Sequence, residues 1–149
     1  MITLTYQLPH SAMVLIVDNH ADSGAAAARA LSYDGHSARA VANHLDALEF
    51  ARNCRVDLLI ADIGTGGSSG EKLLSDIRAL YPIGSIAVTG WGDGETYARR
   101  GRSEFDRWLF KPVSTDDLLT VVAEVLLHGK PKPCVLPNLV NYGFEGGIV

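Results

Sequence analysis

The sequence predicts an α/β fold: a five-stranded parallel sheet with helices on both faces. Three observations lead there. Short apolar runs that suit doubly buried strands alternate with stretches of helical spacing. The order strand then helix recurs five times, which favours parallel strands joined by helical crossovers. The chain has 149 residues, 47% of them hydrophobic, which is the composition and size of one ordinary globular domain.

Val14-Leu15-Ile16-Val17, ending in Asp18, is the first strand. Asp22 is a candidate cap for a helix through the Ala-rich stretch from Ala25 to Leu31, and Gly35 marks its stop. Ser37 to Val41 forms a weaker second strand. Asn43 then caps a helix whose Leu45, Leu48 and Phe50 share an apolar face. Val56 to Ala61 is a clear buried strand ending at Asp62, and Gly64 through Gly70 reads as a loop. Leu73, Leu74, Ile77 and Leu80 repeat at helical spacing until Pro82. Ser85 to Val88 is the fourth strand, and Thr96 to Arg102 a poor helix interrupted by Gly101. Trp108-Leu109-Phe110 is the fifth strand. Ser114 or Thr115 caps a last helix that buries Leu118, Leu119, Val122, Val125 and Leu126.

Composition narrows the function. With 13 Lys+Arg against 17 Asp+Glu the net charge is −4, which argues against a general nucleic-acid binder. A run of about 18 apolar residues, which a membrane-spanning helix needs, does not occur. No export signal is evident, so a cytoplasmic location is expected. Cys54 and Cys134 lie far apart, without metal-ligand spacing, and are read as reduced, small, buried or half-buried side chains. The five histidines form no close ligand pair, and His20, near Asp18, reads as a solvated loop residue, with a place facing the Asp18 pocket as the alternative.

In parallel α/β sheets, ligands sit beyond the carboxyl ends of the strands. Asp18, Asp62, Thr89 and Lys111 each fall at or just past such an end, on four different strands. Two neighbouring carboxylates suit a hard divalent cation, with magnesium the natural choice beside a phosphoryl group. Lysine supplies a positive charge for phosphoryl oxygens, threonine a hydroxyl donor, and an aspartate such as Asp62 a nucleophile that forms an acyl phosphate. Together they describe a phosphoryl-transfer site. A nucleotide-binding loop is the weaker reading of Gly64 to Lys72, because Glu71 separates Gly70 from Lys72 and Leu73 follows.

The landmarks Val14 to Asn19, Asp57 to Ile63, Gly70, Val88-Thr89-Gly90 and Leu109-Phe110-Lys111-Pro112 occur in the order of a bacterial response-regulator receiver domain. The segment from Met13 to about Leu127 resembles that family. The resemblance implies the (βα)5 flavodoxin-like receiver fold over residues 13–128, between an N-terminal extension (1–12) and a C-terminal tail (129–149), with no separate output domain. It implies Asp62 as phosphoacceptor, Thr89 as switch hydroxyl, Lys111 as the conserved lysine and Trp108 as the aromatic switch. Magnesium would be held by Asp18, Asn19, Asp62 and the backbone carbonyl of Gly64 or Ile63. Gly64 and Trp91 occupy positions that tune access of hydrolytic water. The implied partners are a sensor histidine kinase or histidine phosphotransfer protein, a downstream protein and, weakly, a second copy. Self-phosphorylation from a phosphodonor and autodephosphorylation are the only enzymatic activities expected.

Departures from the family pattern keep a second reading open. Asn19 replaces an acidic residue at the more direct metal position, and its amide oxygen brings no charge. Gly66 replaces a proline, Ser69-Gly70 replaces an acidic pair, and Glu104 stands where a glycine is usual. The alternative is therefore a pseudo-receiver that binds partners irrespective of phosphate. After the last helix, Gly129-Lys130-Pro131-Lys132-Pro133 reads as a spacer. The following Val135 to Phe144 is apolar enough to dock as an extended segment on a domain surface.

Overall fold

The computed structural model describes residues 11–63, 69–90 and 104–128. The N-terminal residues 1–10, the helix expected from Thr96 to Arg102, Gly64, Gly66, Trp91 and the tail from Gly129 lie outside them. Five strands, β1 (Met13–Val17), β2 (Ser37–Val41), β3 (Leu58–Ile63), β4 (Gly84–Thr89) and β5 (Arg107–Phe110), form one parallel sheet in the order β2-β1-β3-β4-β5. Among the described residues four helices accompany them: α1 (Ala21–Tyr33), α2 (His44–Asn53), α3 (Ser69–Arg78) and α4 (Thr115–His128).

The strands' side-chain alternation divides the core in two. Leu15, Leu59, Ala61, Ile63 and Ala87 pack with Ala47 and Ala51 of α2 and Leu73, Leu74 and Ile77 of α3. Val14, Ile16, Leu58, Ile60 and Ile86 face the other way, onto Leu31 of α1 and Leu118, Val122 and Val125 of α4. Burial of each Leu or Ile contributes about 1.5–3 kcal/mol before ordering costs. Helix α4 approaches closely because position 84 is glycine. A Cβ there would stand 2.7 Å from Val125 Cγ1.

Local chemistry fixes the boundaries. Asn43 Oδ1 accepts from the Asp46 N–H at 2.9 Å, capping α2. Of the two cap candidates for α4 it is Ser114 whose hydroxyl accepts, from Asp117 N–H at 3.0 Å. Gly35, at φ 97°, turns the chain out of α1. Arg78 ties α3 to the far edge of the sheet. Its guanidinium donates to the carbonyls of Glu104 (2.9 Å) and Ile83 (3.0 Å) and to the Asp106 carboxylate (3.3 Å).

Five expectations are corrected. The cap of α1 is His20, and Asp22 lies within the first turn. Leu45 is 76% exposed, because α2 turns its alanines to the core. Ser69-Gly70 belongs to α3 and not to the preceding loop. Leu80 lies past the end of α3, in a turn where its N–H bonds the Ile77 carbonyl, and is exposed. Cys54 is exposed as the C-cap of α2, where the chain leaves the core-facing helix.

Candidate functional site

The carboxyl edge of the sheet gathers the residues that the sequence singles out. Asp18 follows β1 directly, its N–H bonded to the Val41 carbonyl at 3.0 Å, which continues the β1–β2 ladder. Its Oδ1 accepts the His20 N–H at 2.8 Å, an Asx-type turn that holds the carboxylate at the head of α1. Asp62 is the penultimate residue of β3, beside Val88 of β4. Thr89 ends β4 between Ile63 and Phe110. Lys111 follows β5 with its N–H on the Thr89 carbonyl at 2.8 Å, and the Lys111–Pro112 bond is cis.

These placements bring Lys111 Nζ to 2.8 Å from Asp62 Oδ2. The two side chains are 34% and 14% exposed, so the ion pair is partly shielded from water. Burial pushes the Asp62 carboxyl above its ordinary range. The Lys111 ammonium pulls it back down, and the nearby Asp18 carboxylate pushes it up again.

One ligand atom from each of Asp18, His20 and Asp62 lies within 4.8 Å of the others. Two carboxylates in that space fit a hard divalent cation such as magnesium, which takes oxygen ligands. The imidazole of His20 belongs to a softer donor class. Asn19 sits exposed in the bend between Asp18 and His20. Gly64, the remaining expected metal residue, is outside the described residues.

Thr89 is almost fully buried, and its hydroxyl donates to the Gly90 carbonyl at 3.3 Å. Trp108 turns inward and packs on the α2–α3 side of the core. Its ring stands edge-on to Phe105 at 6.1 Å and 75°, and its buried indole N–H has no hydrogen-bond partner among the described residues. His20, read from the sequence as a solvated loop histidine near Asp18, is exposed, and one of its ring nitrogens lies close to the Asp18 and Asp62 carboxylates. Sequence reasoning missed the Arg78–Asp106 pair, which has no signature in spacing.

Chemically, the edge presents a half-buried carboxylate held against an ammonium, with a second carboxylate positioned to share a cation. Among the described residues no helix is long and apolar enough to cross a membrane.

Comparison with known proteins agrees with the geometry. The family model of the response regulator receiver domain matches residues 14–123. The sensor kinase CckA of Brucella abortus is 31% identical over 124 residues, covering 80% of this chain and 13% of the kinase. The chain spans only 12% to 23% of the length of the curated relatives it matches. Among solved structures, the receiver domain of NtrX from Brucella abortus is 27% identical with a TM-score of 0.69, covering 77% of this chain and 98% of that one. A CheY-like receiver domain protein from Methanospirillum hungatei is 26% identical with a TM-score of 0.70, covering 79% and 95%. By family match and by fold, this chain belongs to the response-regulator receiver domains of two-component signalling.

Proposed function

We propose that this receiver accepts a phosphoryl group on Asp62 and signals by protein–protein interaction. The observation that carries the reading is the 2.8 Å contact between Lys111 Nζ and Asp62 Oδ2, beside Asp18 at the carboxyl edge of the sheet. Retention of this pair beside Asp18 favours the reading over a phosphorylation-independent binding module.

The donor is a phosphohistidine on a sensor kinase or phosphotransfer protein. An Asp62 oxygen attacks phosphorus, forming the acyl P–O bond as the P–N bond breaks. The electron pair returns to the donor imidazole, which takes a proton. Lys111 balances charge on the transferring oxygens. Asp18, Asn19, Asp62 and the Gly64 carbonyl are the residues to hold magnesium. Magnesium held there would neutralise phosphoryl charge, and the uncharged Asn19 would weaken its hold. We assign Thr89, whose hydroxyl rests on the Gly90 carbonyl, as the donor to the new phosphoryl oxygens, and Trp108, packed against Phe105, as the aromatic that responds. A downstream protein, or weakly a second copy, reads the altered surface in the cytoplasm.

The test is phosphoryl incorporation from a small phosphodonor with magnesium, followed by intact mass. Wild type gains one phosphoryl group and Asp62→Asn gains none. Equal incorporation in both would overturn the assignment.

A further inference from the structure

Asp18, Asp62 and Lys111 form one end of a larger cavity of about 470 Å³. Ala26, Ala27 and Ala30 of α1 make one wall, Val113 and Leu118 the other, and Ile60 lies at the floor. The cavity exists because α1 presents alanines where bulkier side chains would fill the space against α4. Its volume is in the range of ligand pockets, and its lining is mostly apolar.

The chain itself holds a segment of matching chemistry at a matching distance. Helix α4 begins at the carboxyl edge beside the cavity and runs away from it to His128. From His128 back to Leu118 is ten residues (128 − 118), or about 15 Å along the helix. The next six residues, Gly129 to Cys134, carry two prolines and span about 19 Å when extended. That spacer is long enough to return along α4 and deliver Val135 and Leu136 to the cavity. Its prolines also restrict the free chain, which lowers the ordering cost of docking.

We propose that the segment 135–140, through Val135, Leu136, Leu139 and Val140, occupies the α1–α4 cavity of its own chain. The docking stands independently of the phosphoacceptor reading.

The two cysteines supply the test. Cys54→Ser leaves Cys134 as the single thiol, next to the proposed occupant. A nitroxide on Cys134 of the full chain should broaden the amide signals of Ser23, Ala26, Ala27, Ala30 and Leu118. The broadening should vanish in the additional double variant Leu136→Asp, Leu139→Asp, while the amide spectrum still reports a folded domain. Broadening that is even over the domain, or centred on α2 and α3, would overturn the proposal. So would broadening that persists in the double variant. Broadening that passes between molecules, in a mixture of spin-labelled and isotope-labelled chains, would assign the segment to a second copy and also overturn it.

Discussion

Replacing Lys111 by Met removes the ammonium and retains most of the apolar stem. Asp62, 14% exposed, is then left facing Asp18 with no cation. A hydrogen bond to a charged group contributes about 1.5–3 kcal/mol. The Lys111 side chain is 34% exposed, so solvent screening places the loss near the lower end, about 1.5 kcal/mol at neutral pH. At about 2–4 °C per kcal/mol for a chain of this length, Tm falls by about 3–6 °C. The sign of the pH dependence follows from Asp62. Its folded pKa is raised, so its contribution to stability is full below the ordinary carboxylate range and is lost as pH rises through the folded value. Lys111→Met makes that loss larger, so the gap between wild type and variant opens on raising the pH and closes in acid. Urea denaturation of wild type, Lys111→Met, Asp62→Asn and the double variant measures both features. In the Asp62→Asn background the lysine substitution should cost less than about 0.5 kcal/mol, because no unpaired carboxylate remains. An equal cost in both backgrounds, or a gap independent of pH, would refute the pairing.

Asn19→Asp adds an anionic ligand and should tighten magnesium binding, read by magnesium-dependent tryptophan fluorescence. Unchanged affinity would remove residue 19 from the metal site. Arg78→Ala strips a partly buried Asp106 carboxylate of its guanidinium partner and should cost about 3 kcal/mol in chemical denaturation, with phosphoryl incorporation preserved. Gly84→Val forces atoms into Val125 and Leu58, and overpacking of about 1–3 kcal/mol should appear as a lowered Tm. A neutral result would mean that α4 does not rest on β4 as described.

The fold was legible where burial is two-sided. Strand β1 and the first four residues of β3 are short, uninterrupted apolar runs, and their alternation sends Leu15 and Leu59 to one core and Ile16 and Ile60 to the other. It was less legible where small residues do the packing. Spacing of Leu45, Leu48 and Phe50 suggested the inner face of α2; Leu48 and Phe50 do pack against the core, but its fully buried positions are Ala47 and Ala51, and alanine gives a weak periodic signal. Gly70 looked like loop chemistry. It is helical, and a side chain there would collide with Ile63, so the glycine serves close packing of α3 on β3. The site was visible as four strand ends because parallel topology forces those ends to one edge. The Lys111–Asp62 contact follows from that rule. The empty space beside it does not, since a cavity depends on what α1 fails to fill.

The central claim is that a phosphoryl group becomes attached to the Asp62 carboxylate. Borohydride reduction of an aspartyl phosphate leaves homoserine at the modified position, so peptide sequencing by mass spectrometry after phosphodonor treatment reads the site directly. The account predicts homoserine at position 62, dependent on magnesium and absent from untreated protein. Homoserine at another aspartate, or none after phosphoryl incorporation is established by intact mass, would contradict it.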